Sequence, residues 1–120
     1  KQKYYFHDLD PWFEYNQKYY YYKIHDFPKL YAFLKTIPCV DHAMIAVMEG
    51  PMSIPAHRAE SNLQLRYHLT LEGTSNLTTE FDIHQHKPGE DVLFDHARHH
   101  SVDKTDEQKR IVLILDINRF

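Results

Sequence analysis

Two histidines and two arginines are the residues of this chain whose types and spacing could do chemistry together. His57 and His100 bracket a stretch that carries Arg66, and Arg110 follows at the start of another apolar run. Imidazole binds borderline divalent metals well, and two histidines that leave coordination positions open suit iron that activates oxygen. Arginine offers a carboxylate a fixed fork of N–H donors. The pattern therefore predicts a metal centre beside a site for a dicarboxylate.

The length and composition of the chain limit it to one domain of ordinary globular type. Its 120 residues support a single core, and 42% hydrophobic and 14% aromatic residues are enough to fill it. The formal net charge of -3 argues against a dedicated nucleic-acid-binding protein, which normally carries a basic face. No stretch is long and apolar enough to span a membrane. Nucleic-acid binding and a membrane-spanning role are therefore both disfavoured.

The cysteine content bears on the cellular compartment. Cys39 is the one cysteine of the chain, which excludes an internal disulfide and favours a reducing, cytoplasmic compartment. With no histidine partner evident for a nucleophile, we expect Cys39 to be a small buried residue. The chain begins at Lys1 rather than at methionine, as expected of a domain taken from a longer protein.

The N-terminal segment is rich in aromatic residues. Residues 1–26 include four consecutive tyrosines at 19–22 and show no clean period. We expect this segment to wrap the core as extended chain or short turns, with its rings plugging one end of a barrel rather than stacking on a ligand. The predicted organisation is an aromatic segment and helix over residues 1–36 and a β domain that carries the chemistry over residues 37–120, within one globular unit.

A short helix is predicted over residues 27–36. Apolar side chains at 27, 30, 31 and 34 recur at helical spacing. Pro28 fits the first turn, and Asp26 can cap its start. Pro38 cannot continue a helix, so we expect it to stop this one.

After Cys39 the pattern changes to short strands separated by turns. Residues 44–48 form an apolar run that ends at a Gly-Pro turn, and residues 63–71 alternate apolar with polar side chains. This period of two puts Arg66 and His68 on one strand face, opposite the leucines. Further strands are predicted at 81–83, 92–94 and 110–115. Many short strands after one helix are typical of a double-sheet jelly roll or related barrel, which holds ligands in its mouth.

Five blocks of the chain occur in an order that points to a known family. They are Ile-Pro-Ala-His-Arg-Ala-Glu-Ser-Asn at 54–62, Leu-Arg-Tyr-His-Leu at 65–69, Gly-Glu-Asp-Val-Leu-Phe-Asp at 89–95, His100, and Arg-Ile-Val-Leu at 110–113. Together they resemble the aspartyl/asparaginyl β-hydroxylase family, to which the lipid A hydroxylases are related. The resemblance runs from about residue 37 to residue 119.

The resemblance implies a fold, a reaction and a set of partners. The fold is a mainly β, double-stranded β-helix of jelly-roll or cupin-like type with a short N-terminal helix. The activity is that of an Fe(II)- and 2-oxoglutarate-dependent dioxygenase, with O2 as the second cosubstrate. Such an enzyme hydroxylates a C–H bond, here of an Asp or Asn side chain in a protein or of a related peptide or lipid substrate.

The resemblance also implies roles for six residues of this chain. His57, in a proline–histidine motif, matches the first iron ligand, and His100 matches the second. These two histidines are therefore the predicted metal-binding and catalytic pair. Arg110 matches the arginine that binds the far carboxylate of 2-oxoglutarate. The other predicted contacts to the cosubstrate are Met48, Arg66 and His68.

Some positions depart from what related oxygenases carry. Most have a carboxylate two residues after the first histidine, where this chain has Ala59. The β-hydroxylases have glycine there and are active, so we expect water and the cosubstrate to complete the coordination. Ala46 replaces a serine that helps to bind 2-oxoglutarate, which removes one hydrogen bond. His99 competes with His100 for the second ligand position, and His100 is favoured by its spacing to Arg110.

Two alternatives to this function remain open at the level of the sequence. One is a cupin-type isomerase or oxygenase that binds a metal but does not use 2-oxoglutarate, and it would not need Arg110. The other is a binding module that has lost its chemistry, which Ala59 and Ala46 favour.

Several of these residues also have ordinary structural interpretations. Arg66 could pair with Glu72 or Asp82, and Arg110 could be a strand-end charge in solvent. Five histidines match nothing in the family and are expected to be solvent-facing or structural: His7, His25, His42, His84 and His86.

Overall fold

The structure, a computed structural model, describes residues 11–119 of the chain. His7 lies outside these residues, as do the first ten positions of the predicted aromatic segment. The elements are β1 (Phe13–Tyr15), β2 (Tyr19–Lys23), α1 (Pro28–Leu34), β3 (Val40–Glu49), β4 (Met52–His57), β5 (Gln64–Glu72), β6 (Ser75–Thr79), β7 (Ile83–His86), β8 (Asp91–Phe94), β9 (His100–Lys104) and β10 (Lys109–Asn118).

The strands form two antiparallel sheets. One has six strands in the order β1-β2-β3-β10-β5-β8, and the other has four in the order β4-β9-β6-β7. From β3 onward the chain crosses repeatedly between the sheets, which is the winding of a double-stranded β-helix. The predicted mainly β, two-sheet fold is confirmed.

The central strands of the six-stranded sheet are buried on both faces, which explains why they read as continuous apolar runs. β3 and β10 pair with each other along almost their whole length. One face packs against α1 and the turn before it, through Ile45, Val47, Ile111, Leu113 and Leu115. The other face points toward the four-stranded sheet, through Met44, Ala46, Met48, Val112 and Ile114. The second of these faces carries the predicted site residues of the sheet.

The N-terminal segment joins the six-stranded sheet as a hairpin. Asn16 and Gln17, in the three-residue loop between β1 and β2, both have positive φ, of 59° and 55°, as in the type I′ turns that match strand twist. β2 then pairs with β3 over Tyr19–Lys23. Extended chain was predicted here, but its pairing with the sheet was not. Tyr19 and Tyr21 pack between the two sheets. The division of the chain at residues 36 and 37 stays a prediction.

The predicted helix is present and shorter than expected. α1 begins at Pro28 and ends at Leu34, ahead of Pro38. Phe27 occupies the N-cap position, so the assignment of this position to Asp26 is wrong, because Asp26 closes a 3-10 turn that precedes the helix. No helix between residues 11 and 119 has the length and apolar character needed to cross a membrane.

The strand predictions succeeded where the pattern was apolar and failed where it was polar. β3, β5, β8 and β10 lie at the predicted runs. Phe81 stands outside β7 in an exposed turn, and Cys39, expected to be buried, is exposed. β6 and β9 were not recognised because most of their residues are polar, and β4 was not recognised because Pro55 interrupts it. Three of the four strands in the smaller sheet were therefore missing from the prediction.

Gly73, between β5 and β6, is required by both its backbone conformation and its packing. Its φ is +78°, and a Cβ would overlap the backbone of Lys109 and Arg110. Gly89 has a similar φ of +85°, but a Cβ there would meet nothing within 4 Å. At both positions a residue other than glycine would be strained by the positive φ. The two positions differ in the space available for a side chain.

We expect Gly73→Ala to lower the free energy of unfolding by about 3 kcal/mol, because overlap adds to the backbone strain. Gly89→Ala should lose about 1 kcal/mol, because only the strain applies. Urea denaturation followed by circular dichroism measures both values. Equal losses in the two variants would show that the close approach at Gly73 is relieved without cost.

Candidate functional site

A cavity between the two sheets collects most of the predicted residues. Its volume is about 370 Å³. The hairpin contributes Phe13, Tyr15, Tyr19 and Tyr21 to its wall. Three other strands, β4, β5 and β9, contribute His57, Arg66, His68 and His100. Met48 and Arg110 lie behind this wall, opposite each other on β3 and β10 and fully buried. A larger cavity of about 770 Å³ beside α1 is lined by none of the six predicted residues, so we assign the site to the smaller one.

His57 and His100 are brought side by side by the pairing of β4 with β9. They are partners in the strand register, and their ring centroids lie 4.4 Å apart. The register shifts between Ile54 and His57, where Pro55 interrupts the ladder. The irregularity falls next to His57, as strand irregularities near binding sites commonly do.

Both histidines are held in the tautomer that binds metals through Nε2. His57 Nδ1 lies 2.9 Å from the carbonyl oxygen of Pro55, and His100 Nδ1 lies 2.9 Å from that of Arg98. A carbonyl oxygen only accepts, so each Nδ1 carries the proton and each neutral ring keeps its lone pair on Nε2. Burial lowers the pKa of His100, which favours its neutral form. Metal-binding histidines typically have such a partner behind the ring.

His100, and not His99, shares the cavity with His57. The His99 side chain is 60% exposed, and its Nδ1 lies 3.9 Å from a carboxylate oxygen of Glu80. Successive side chains in extended backbone point to opposite sides, so only one of the two histidines can face inward. The geometry agrees with the choice made from spacing, while the ligand role of His100 stays a prediction.

The described residues supply no carboxylate as a third metal ligand. Between Pro11 and Arg119, no group of three His, Cys, Asp or Glu side chains is arranged to hold a metal ion. Ala59 donates its N–H to the carbonyl oxygen of His96 at 2.8 Å, and Glu60 is exposed. A metal bound by His57 and His100 would therefore keep several positions for ligand oxygens and water.

Arg110 is a buried cation that is not neutralised by any carboxylate of the described residues. It is 1% exposed, and its Nη1 donates to Ser75 Oγ at 3.2 Å. Its Nε is buried without a partner, and the arginine ion pairs formed among residues 11–119 involve only Arg66, Arg98 and Arg119. Burial lowers the pKa of Arg110, but a guanidinium stays protonated. Because an unpaired buried charge costs several kcal/mol, this position is suited to an anion.

Arg66 differs from Arg110 in already having a counter-ion. Its Nε and Nη2 donate to the two carboxylate oxygens of Asp116, at 2.9 and 3.3 Å. Asp116 stands opposite Arg66 in the register of β5 and β10, so the expected partners Glu72 and Asp82 are wrong. Arg66 and His68 do share one strand face, as predicted, and that face lines the cavity.

His86 is a member of the site that sequence reasoning missed. It is 0% exposed, its Nε2 lies 3.1 Å from His68 Nδ1, and its Nδ1 lies 2.6 Å from Ser75 Oγ. Burial lowers the pKa of His68 well below its ordinary value and that of His86 to about 3, so both rings are neutral at pH 7. The apolar Ile83 misled the prediction, because it is 64% exposed and the histidines of β7 face inward.

The two inward tyrosines of β2 were also missed. Tyr19 donates its hydroxyl hydrogen to the Tyr21 hydroxyl at 3.0 Å. Tyr21 lies opposite Ala46 in the register of β2 and β3, so its ring covers the side where the small alanine leaves space. Both phenols interact electrostatically with Arg110 and partly offset the effect of burial on its pKa. The hairpin therefore contributes to the surroundings of the Arg110 guanidinium.

A comparison with known protein families identifies the family of this chain. The family model for aspartyl/asparaginyl beta-hydroxylase matches residues 11–120. The chain belongs to this family. An ornithine lipid ester-linked acyl 2-hydroxylase of Rhizobium tropici is 31% identical to the chain over 94 residues, which cover 74% of this chain and 34% of that protein. This β-hydroxylase-family domain thus spans about a third of the length of that relative.

Solved structures resemble the domain in fold alone. A predicted oxalate decarboxylase of Thermotoga maritima superimposes with a TM-score of 0.60 at 12% identity, covering 83% of this chain and 80% of the other. The cupin domain of Schizosaccharomyces pombe Cnp3 gives 0.57 at 9% identity, covering 92% and 63%. The β-hydroxylase-family domain therefore has a cupin fold, as its sequence predicted.

We expect the stability of this domain to fall as the pH falls below about 6.5. The pKa of His86 is about 3 in the folded state and near 6.5 when unperturbed, so the unfolded chain binds more protons between these values. His68 acts in the same direction. Above pH 6.5 neither histidine contributes a pH dependence. His86→Gln keeps a donor and an acceptor without titrating, so it should flatten the acid side of the curve.

Melting temperatures of the wild type and His86→Gln between about pH 4 and pH 8 measure this effect. The wild type should lose more stability on acidification than the variant. Parallel curves would contradict a buried neutral His86.

Proposed function

We propose that this domain is the catalytic domain of an Fe(II)- and 2-oxoglutarate-dependent hydroxylase. The observation that carries the proposal is the unpaired, buried Arg110 behind the wall of a cavity into which His57 and His100 present metal-binding nitrogens. A cation without a counter-ion calls for an anionic ligand, and two histidines without a carboxylate leave room for a chelating one. The family and the Rhizobium relative carry the names of hydroxylases.

The metal would be held by Nε2 of His57 and Nε2 of His100. The chemistry that Fe(II) supplies when bound is oxygen activation, with 2-oxoglutarate as the reductant. In the balanced reaction, a substrate C–H bond, O2 and 2-oxoglutarate give a C–OH bond, succinate and CO2. One oxygen atom enters the product and the other enters succinate.

The residues of the chain itself bind and orient the cosubstrate. Arg110 keeps its Nε free to donate to the far carboxylate, and a planar guanidinium fixes the direction of that group. His68 and Arg66 line the cavity in front of it, and Met48 supplies buried apolar contact opposite Arg110. The rings of the hairpin close the same side and exclude water from the buried charge.

The substrate is proposed to be an Asp or Asn side chain of a protein or peptide, or the acyl chain of a lipid. The apolar and aromatic groups around the cavity, including Phe13, Ile54 and Val102, offer contact to an acyl chain, the group named for the Rhizobium relative. Mass spectrometry of succinate formed with a panel of peptides and lipids distinguishes these classes. Turnover with peptides alone would exclude the acyl chain.

We expect metal binding to need His100 and not His99. His100→Ala should weaken Fe(II) binding by at least about 100-fold, because one of two protein ligands is lost. His99→Ala is the matched control, since its side chain is exposed and faces Glu80. Anaerobic titration with Fe(II) and 2-oxoglutarate should give a metal-to-ligand charge-transfer band in the wild type and in His99→Ala.

The absence of this band from the wild type would overturn the proposed cofactor pair. If the circular dichroism spectrum were intact in that case, a binding module without chemistry would take its place. Equal losses in His99→Ala and His100→Ala would contradict the assignment of His100.

We expect Arg110→Met to weaken 2-oxoglutarate binding strongly without weakening the fold. Methionine fills much of the same volume and removes a buried charge that has no counter-ion, so the melting temperature of the ligand-free variant should not fall. The dissociation constant for 2-oxoglutarate should rise by about 100-fold or more, because a buried charge pair is truncated. Lys109→Met, at the neighbouring position of β10 where the lysine pairs with Glu49, is the control.

Calorimetric titration and thermal melts measure these two effects. Full turnover in Arg110→Met would favour a cupin-type metalloenzyme that does not use 2-oxoglutarate.

A further inference from the structure

We propose that Ser75 and His86 are positioning residues that hold His68 in its Nε2–H tautomer. His68 then presents a neutral hydrogen-bond donor to an anion in the cavity. The inference deepens the proposed function and rests on it for the identity of this anion, 2-oxoglutarate. The chain of hydrogen bonds from Arg110 through Ser75 and His86 to His68 carries it.

The direction of the chain is set at Arg110, which can only donate. Its Nη1 donates to Ser75 Oγ at 3.2 Å, so that oxygen uses a lone pair there and keeps its hydrogen for another partner. His86 Nδ1 lies 2.6 Å from the same oxygen, and it is the acceptor available to that hydrogen. With Nδ1 accepting, the neutral His86 ring carries its proton on Nε2.

The same logic passes from His86 to His68. His86 Nε2 lies 3.1 Å from His68 Nδ1 and donates to it, so His68 Nδ1 is an acceptor. The proton of the neutral His68 ring is then on Nε2. The ring of His68 lines the cavity, on the same strand face as Arg66. The remaining N–H of His68 is thus available to a ligand.

If the hydrogen bonds ran in the opposite direction, from His68 to Ser75, a buried donor would be left without an acceptor. Ser75 Oγ would have to accept from both Arg110 and His86, and its own hydrogen would have no acceptor among the polar partners it has in residues 11–119. Ser75 is 6% exposed, and an unsatisfied buried hydroxyl is costly. The positive charge of Arg110 also favours a lone pair, rather than an N–H, on the side of His86 that faces it.

The consequence is that one buried network orients both groups that would bind the anion. Arg110 lies on β10 and His68 on β5, in the six-stranded sheet, while Ser75 and His86 lie on β6 and β7 in the other sheet. Ser75 and His86 of the smaller sheet therefore fix the position of the donor proton on His68 of the larger sheet. A neutral donor beside a guanidinium adds a hydrogen bond without adding a second buried charge.

Nitrogen-15 NMR of the histidine rings tests the tautomer in the protein without metal or ligand. The wild type should show His68 protonated at Nε2, with its resonances identified by their loss in His68→Gln. Ser75→Ala and His86→Leu should each shift His68 toward the Nδ1–H form, whereas Ser75→Thr and His86→Gln should keep the Nε2–H form. A wild-type His68 protonated at Nδ1, or a tautomer that none of these variants changes, would overturn the inference.

Binding of 2-oxoglutarate in the presence of Zn(II), a redox-inert metal, gives an independent readout. Ser75→Ala and His86→Leu should raise its dissociation constant about tenfold, the loss of one hydrogen bond to a charged ligand, with Zn(II) affinity unchanged. Ser75→Thr and His86→Gln should bind nearly as the wild type does. In turnover, the KM for 2-oxoglutarate should rise while kcat changes little.

The outcomes separate this inference from the proposed function. If the wild type binds no 2-oxoglutarate but has His68 as the Nε2–H tautomer, the proposed function falls and the tautomer assignment stands. If the wild type binds it and Ser75→Ala and His86→Leu bind it equally well, the inference is overturned. A third outcome is that all four variants lose Zn(II) affinity and melting temperature to the same extent. That result would indicate a merely structural role for Ser75 and His86 and would also overturn the inference.

Discussion

The structure depends on one constraint, a guanidinium held in the interior without a carboxylate beside it. Arg110 lies near the start of β10, a central strand that is buried on both faces, opposite Met48 of β3 and before the apolar run of β10. Among the described residues, its side chain hydrogen-bonds Ser75 Oγ and also interacts with the phenols of Tyr19 and Tyr21. A fold does not gain stability from such a charge, because removal from water costs more than neutral hydrogen bonds return. The anion of the proposed function would offset this cost.

The two sheets divide the chemistry between them. The smaller sheet supplies His57 and His100, whose Nδ1 atoms donate to carbonyl oxygens and whose Nε2 atoms are left for a metal. The larger sheet supplies the groups proposed to bind the anion, including Arg110 and His68. A metal and an anionic chelator can then meet in the space between the sheets. Ser75 and His86 connect the two sheets, since they belong to the smaller sheet and hydrogen-bond Arg110 and His68 of the larger one.

Much of the site could be predicted from the sequence, because strand periodicity is a local property. The alternation in β5 placed Arg66 and His68 together, and the spacing to Arg110 selected His100 over His99. His86 could not be found in this way. Its strand exposes Ile83 and buries histidine, the reverse of the usual pattern, since the inward side faces a polar network rather than an apolar core. The salt bridge of Arg66 with Asp116 joins strands that are distant in the chain, and no local pattern signals it.

By itself, the sequence determined the β-rich fold, the short helix, the family and six candidate residues. These follow from hydrophobic periodicity, turn residues and the order of the motifs, all of which are properties of the linear sequence. Only the tertiary structure decided which side chains meet and in what protonation state. It paired β4 with β9 so that His57 faces His100, left Arg110 without a counter-ion among the described residues, and built the hydrogen-bonded path to His68. The physical reason is that burial and hydrogen-bond direction depend on groups brought together from distant strands, and these set both charge and tautomer.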